Sequence, residues 1–357
     1  MNNARIYGKR LTGLPFDALK EWLVTEMQMR PFRAVQLFRW IHLRRVRSFE
    51  RMTDISRAAR EQLAANAELT VLRPSDAQQA SDGTVKHTFI LDDGVIVEAV
   101  RIPEPPRMTV CLSTQAGCRM GCSFCATGRS GFTRNLTTDE IVAQLYSLTG
   151  PEGGDRISNV VLMGMGEPMD NFEAVSKALS IISDDRGICI GARKITVSTV
   201  GIPGGIAKLA DLPGQYGLAV SLHSAVEPTR RKLVPASRAL PLTSLRDDLL
   251  RYAELKGRRI TLEYCLIRDI NDSIIEADAL ARFAKGLPCK INLLLYNPVP
   301  GLDYRRPRER TVKEFMDHLY PRCPAVTLRR SRGADIAAAC GQLAARQHDS
   351  TGSGGNR

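Results

Sequence analysis

Apolar residues along this chain recur with more than one period, and the changes of period divide it. Over residues 14–65 the period is helical, with Phe16, Leu19, Leu23 and Met27 falling on one face. Pro31 opens a second helical segment, where its missing N–H costs nothing. Val35, Phe38 and Ile41 form the apolar stripe of that segment. Over residues 66–107 the pattern changes. The stretch KHTFILDDGVIVEAVRIP alternates on both sides of a DDG turn, which predicts a β-hairpin. From residue 108 onward, strands and helices alternate. Strands are predicted at MTVCLST, NVVLMG, KITVST, GLAVSLH, RITLEYCL, KINLLLY and AVTLRR, and helices over 137–149, 170–183, 243–256, 273–285 and 311–320. Such alternation specifies a parallel sheet covered by helices, as a complete barrel, a partial barrel or an open sheet. In each of these, ligands bind at the carboxyl ends of the strands.

This pattern divides the chain into four regions: a basic helical domain over 1–65, a β-hairpin connector over 66–107, an α/β barrel over 108–345, and a tail over 346–357. The tail is Gly/Ser-rich and lacks periodicity, so it is expected to be disordered.

Charge sharpens the picture. The net charge is +12, and residues 1–65 hold 13 Lys/Arg against 6 Asp/Glu, while residues 301–357 hold 11 against 6. The middle balances at 26 against 26. Basic ends around a neutral body suit docking to a polyanion, although solubility alone also accounts for them. No apolar run is long enough to span a bilayer, and MNNARIYGKR lacks the apolar core of a secretory signal. A cytoplasmic protein is expected. Nine cysteines in that setting favour reduced thiols, metal ligands or redox catalysts over a disulfide framework.

Three of those cysteines, Cys118, Cys122 and Cys125, stand together in GCRMGCSFCATG with C-x₃-C-x₂-C spacing. Structural zinc takes four ligands, and the fourth is missing locally. Three thiolates suit three irons of a [4Fe–4S] cluster and leave the fourth iron open to a ligand. The spacing, with Phe124 before the last cysteine, resembles the signature of the radical S-adenosylmethionine (SAM) superfamily. The loop also comes directly after a predicted strand, where a β/α protein builds its active site.

Later strand ends add polar groups. Gly164 and Gly166 do not complete a dinucleotide fingerprint, because Met169 holds the third glycine position. Gly166 still permits close backbone approach to a ligand, and Glu167 offers a carboxylate to a cationic amine, as in the GGE-like turn of radical SAM proteins. Ser198, Ser221, Leu222, His223 and Asn297 stand at the ends of the later strands. Each alone fits a cap, a turn or a structural histidine. Together they outline one SAM pocket.

The segments CLSTQAGCRMGCSFCATGRSGFTRNLT, LMGMGEPMDNF, VSLHS, CKINLLLYNP and RGADIAAACGQLA, in this order, are similar to the RlmN/Cfr family of radical SAM methyltransferases. These act on an adenine of 23S ribosomal RNA. The resemblance implies a partial (βα)6-type radical SAM barrel preceded by a small helical domain and the hairpin. It implies a [4Fe–4S] cluster and SAM as cofactors, and Cys340 as the residue that becomes S-methylated. It also implies Glu98 as proton acceptor and Cys111 as the thiol that resolves a protein–RNA adduct, leaving a transient Cys111–Cys340 disulfide. Implied partners are 23S rRNA and a one-electron donor of flavodoxin or ferredoxin type, with tRNA left open and a monomer as default. Pro168 in GMGEP resembles the branch that methylates adenine C2, at position 2503, rather than the C8 branch. A cluster-bearing RNA-binding protein without methyl transfer is the competing reading, and it has no need of Cys111, Cys340 or Glu98.

Overall fold

The computed structural model describes residues 8–149, 156–323 and 325–344, so the tail predicted over 346–357 lies outside the described residues. The N-terminal region begins with β1 (Lys9–Arg10), then α1 (Phe16–Thr25), α2 (Arg33–Phe38) and α3 (Arg57–Asn66). β2 (Ala67–Glu68) then pairs in parallel with β1 and ties the two ends of the region together. The face of α1 packs as its spacing predicts, with Leu19 and Leu23 buried, Phe16 partly buried, and Met27 buried just past the helix end. In α2 and the π-helical turn Arg39–Leu43 that continues it, the buried stripe is Ala34, Leu37, Phe38 and Ile41, while Val35 is exposed. Val35 lies about 100° around the helix from Ala34, outside the stripe that faces the core.

The hairpin forms where the alternation places it. β3 (Pro74–Gln79), β4 (Val85–Ile90) and β5 (Ile96–Glu104) pair antiparallel in sequence, with Thr88 opposite Glu98. These strands do not form a separate unit. β5 pairs antiparallel with β6 (Arg107–Cys111), which is also the first parallel strand, so hairpin and barrel strands share one ten-stranded sheet.

After β6 the chain forms β7 (Gln115–Gly117), α4 (Ala126–Arg129), β8 (Phe132–Asn135) and α5 (Thr138–Leu148), the last started by a Thr137/Glu140 capping box. Five further strand–helix steps complete the alternation: β9 (Asn159–Leu162), α6 (Phe172–Ser183); β10 (Ile195–Thr199), α7 (Gly205–Asp211); β11 (Gly217–Ser221), α8 (Glu227–Leu233), α9 (Leu242–Lys256); β12 (Ile260–Leu266), α10 (Ile274–Ala284); β13 (Cys289–Leu295), α11 (Glu309–Leu319). β14 (Val326–Arg329) ends the parallel run β6-β9-β10-β11-β12-β13-β14. Strand β12 is buried at every position, as a central parallel strand must be.

β14 and β3 are the two edges of the sheet and do not pair with each other. Yet Cys111 on β6 and Arg329 at the end of β14 line the same cavity, so the sheet curls into a partial barrel. The segment after β14 spans the gap. Gly333 N donates to Asp82 Oδ2 at 3.1 Å, Ser81 N donates to Asp335 Oδ2 at 2.9 Å, and Arg332 lies 3.6 Å from Glu104. This latch carries the chain back across the strand ends and fixes where Cys340 lies.

Candidate active site

A cavity of about 210 Å³ opens at the carboxyl ends of the parallel strands. Six of the nine cysteines line it: Cys111, Cys118, Cys122, Cys125, Cys265 and Cys340. Gly166, Glu167, Ser198, Ser221, His223 and Asn297 line it too. Of the residues singled out from sequence, Leu222 and Glu98 do not. Leu222 turns its side chain into the core between two lining neighbours. Glu98 is buried on β5, where Lys86 Nζ lies 3.3 Å from Oε1 and the Ala344 N–H donates to Oε2 at 3.0 Å. It thereby ties the hairpin to the chain just beyond Cys340.

The three-cysteine loop is held from several sides. Cys118 N donates to Gly131 O, Ser123 N to Leu233 O, and Ala126 N to Gly341 O. Thr127 Oγ1 donates to Leu343 O at 2.6 Å, so this loop and the Cys340 segment brace each other. Phe124 packs edge-on against the His223 ring, with centroids 4.8 Å apart. At Gly128, a Cβ would stand 2.8 Å from Cys122 N and 2.9 Å from Cys122 O, so only glycine lets the loop close on itself.

The donor set fits an iron–sulfur cluster. Burial pushes all three thiols up, Cys118 to about 12, so they are neutral alone and become thiolates only against bound cationic metal. The Cys125 sulfur already accepts hydrogen bonds from the Thr127 and Gly128 backbone, a sulfur environment that suits such a cluster. Among the described residues no three His, Cys, Asp or Glu side chains converge on a single metal ion. A cluster that meets each thiol through a separate iron asks for a wider spacing than one ion does.

Beside the loop, the Glu167 carboxyl joins two strand ends, accepting from Met169 N at 3.1 Å and from Val200 N at 2.9 Å. Burial raises it to about 7. Gly166 adopts φ +102°, and a Cβ there would stand 2.6 Å from the Gln115 side chain, which in turn accepts from Glu167 N. Ser198 Oγ and Ser221 Oγ lie 3.5 Å apart on adjacent strands. His223 has φ +58°, a left-handed conformation costly for a residue with a Cβ. Its Nδ1 accepts from Cys265 N at 3.1 Å, which places the ring proton on Nε2. Burial, then the nearby Arg230, lowers its pKa to about 3, so the ring is neutral.

Two side chains here carry no sequence motif. Arg230 is fully buried, donates to Val200 O at 2.6 Å and Leu222 O at 3.3 Å, and sets its positive charge near Cys122. Only its place soon after SLHS hints at a role. Arg329 sits within electrostatic range of Cys111 and Cys340. Cys340 keeps much of its surface, but that surface faces the cavity, and the surrounding protein still raises its pKa. Burial, then the nearby Cys340, raises Cys111 to about 12.

Comparison with known proteins agrees with this geometry. Residues 9–69 match the model of the ribosomal RNA large subunit methyltransferase N-terminal domain, and residues 112–281 that of the radical SAM superfamily. The dual-specificity RNA methyltransferase RlmN of Anaeromyxobacter dehalogenans (strain 2CP-C) is 41% identical over 342 residues, covering 94% of this chain and 91% of that protein. The probable dual-specificity RNA methyltransferase RlmN of Bacillus velezensis is 43% identical over 333 residues, covering 93% and 92%. The crystal structure of a radical SAM methyltransferase from Sphaerobacter thermophilus matches with a TM-score of 0.90 and 42% identity, covering 95% of this chain and 100% of that one. The chain belongs to the RlmN family of radical SAM RNA methyltransferases.

Proposed function

We propose that this chain methylates C2 of an adenine in 23S rRNA, at position 2503, with adenine 37 of tRNA as a second substrate, in the cytoplasm. The observation that carries the reading is the meeting of Cys111 and Cys340 in the cavity that also holds the three-cysteine loop. Adenine C2 is electron-poor and offers no nucleophile, so polar methyl transfer to it is blocked. When bound, a [4Fe–4S] cluster and SAM, fed by a flavodoxin- or ferredoxin-type donor, supply one-electron chemistry that can activate a methyl C–H bond.

The protein's own groups do the rest. Cys118, Cys122 and Cys125 would hold the cluster, which their three thiolates leave open to SAM. Glu167 would face the amino group of SAM; Gly166, Ser198, Ser221, His223 and Asn297 line the remainder, with Leu222 packed behind them. Cys340 carries the methyl group to the base and becomes bonded to it. Glu98, fixed by Lys86 and the Ala344 N–H, accepts the ring proton. Cys111 then attacks the Cys340 sulfur as thiolate: a Cys111–Cys340 disulfide forms, the sulfur–carbon bond to the base breaks with its electron pair left on the carbon, which takes up a proton to become the methyl group, and two electrons with two protons later reduce the disulfide.

RNA has to present an unstacked base to this cavity. Exposed Arg39, Arg44 and Arg47 on the N-terminal region support phosphate docking. So does a groove beside α11 lined by Arg268, Arg306, Arg308 and Lys313, with exposed Tyr320 at its margin. The test is mass spectrometry of rRNA and tRNA from a deletion strain. Loss of methyl from C2 of both adenines is the expected result; loss from C8, or no loss, overturns the reading.

A further inference from the structure

A row of polar side chains crosses the wall of the cavity. Parallel register places Ser221 on β11 beside Glu263 on β12, Glu263 beside Asn292 on β13, and Asn292 beside Thr327 on β14. Residues aligned across a parallel sheet point to one face. The row is wired together at its far end: Thr327 Oγ1 donates to Asn292 Oδ1 at 2.7 Å, and Asn292 Nδ2 donates to Glu263 Oε1 at 3.0 Å. At the near end the wiring stops. Glu263 is 5% exposed and lines the cavity, and its Oε2 has no hydrogen-bond partner among the described residues.

A buried carboxyl oxygen without a partner carries a desolvation cost that a structural role does not repay. Asn292 fixes Oε1, so the carboxyl orientation is set and Oε2 is left for whatever fills the cavity. Its surroundings narrow the chemistry. Ser221, with Ser198 3.5 Å from it, flanks Glu263 on one side, and the Cys340 thiol and the Arg329 cation lie within electrostatic range. Burial also raises the Glu263 pKa, so Oε2 meets its partner either as an ionised acceptor or as a protonated donor. A hydroxyl satisfies both states, whereas an amino group satisfies only the first.

We propose that Glu263 is a ligand-binding residue whose free Oε2 takes a ribose hydroxyl of a nucleoside seated in the cavity, alongside Ser221. This rests on the reading of the cavity as a SAM and RNA site. Two nucleosides enter it on that reading, SAM and the target nucleotide of the RNA, and the chemistry they share is the ribose hydroxyl.

The test uses the full chain reconstituted with its cluster. SAM affinity is measured by equilibrium binding for the parent, E263A and E263Q, each with SAM and with its 2′-deoxy and 3′-deoxy analogues. If the SAM ribose is the partner, E263A weakens SAM binding about ten- to a hundredfold. One deoxy analogue then binds the parent that much more weakly and is indifferent to the substitution. E263Q, which keeps the contact to Asn292 and can donate to a hydroxyl, falls between. If the RNA ribose is the partner, SAM binding is unchanged. The KM for a stem-loop substrate then rises in E263A, and a 2′-deoxyadenosine at the target position removes the difference between parent and variant. Equal losses for native and deoxy ligands, or no loss with either SAM or RNA, overturn the proposal. E263Q with the analogues decides the matter if E263A does not fold. Failure of the parent to bind SAM at all overturns the underlying reading of the cavity, a different result from a parent that binds and a variant that matches it.

Discussion

Cys340 and Cys111 reach the same cavity from opposite ends of the parallel run of strands, Cys111 at the end of β6 and Cys340 on the segment that closes the gap beyond β14. The pair is brought together by the latch across the open side of the barrel, not by the hydrogen-bond ladder. A reaction that needs both thiols therefore depends on that latch.

If Cys111 resolves an adduct formed at Cys340, removing it leaves the adduct intact. C111A should trap RNA covalently on the protein, visible as a ribonuclease-sensitive, slow-migrating band on a denaturing gel. C340A should form no adduct and no methyladenine.

The latch itself is testable. Asp82 and Asp335 accept from the Gly333 and Ser81 backbone N–H groups. Replacing both with Ala removes the two charge-assisted bonds of the latch, together with the Asp82 bond from Thr84 N. Amide exchange over residues 333–344 should quicken while exchange in β12 stays slow, and methylation should fall. Unchanged exchange would show that the Thr127 and Ala126 contacts alone hold the segment.

Gly128 tests the cluster loop without touching a thiol. A Cβ there meets backbone atoms of Cys122 that cannot move aside cheaply. G128A should lose iron and acid-labile sulfide relative to the parent. The circular dichroism melt should shift only modestly, since overpacking costs about 1–3 kcal/mol.

A fourth expectation concerns acid. His42 is fully buried between α2 and α5, its Nδ1 2.5 Å from the Tyr146 hydroxyl and its ring 4.2 Å from that of Phe38. Burial lowers its pKa from 6.5 to about 3. Between those values the unfolded chain binds a proton that the folded chain refuses, so this contribution is intact above pH 6.5 and is lost as pH falls toward 3. The slope is about 1.4 kcal/mol per pH unit for each such group. H42F should be less stable at neutral pH, because Tyr146 loses its partner. Its denaturant midpoint should also fall less steeply between pH 6 and 5 than that of the parent.

How much of this is legible in the sequence varies with how local each cause is. The strands and helices from β6 to β14 arise from apolar period and turn residues, and the predicted segments lie within a few residues of the observed ones. The short elements β7, α4, β8, α7 and α8 are not among the predicted ones, because each is seven residues or fewer and shows too little of a period; α7 moreover begins at Gly204–Gly205, which reads as a turn. Val35 falls on the predicted stripe but not on the buried one, because which of two neighbouring stripes faces inward depends on what lies across from it. The continuity of the hairpin with the barrel is hidden for the same reason, since pairing of β5 with β6 is not written in either strand. At the site, the three-cysteine spacing is a strong local signal. His223 alone reads as structural, and only its φ and its bond to Cys265 N set it apart. Arg230 and Glu263 carry no motif, and their character comes from burial beside partners distant in the chain. Cys265, which belongs to no motif, lies on the cavity wall.

The central claim is that Cys340 carries the methyl group that three cluster-bound thiols make available. Tandem mass spectrometry of the Cys340 peptide, from protein reconstituted with iron, sulfide, reductant and SAM, tests it most directly. The expected spectrum carries a methyl group on the Cys340 sulfur, absent when Cys118, Cys122 and Cys125 are replaced by Ala. An unmodified Cys340 in protein that holds its cluster and cleaves SAM would contradict it.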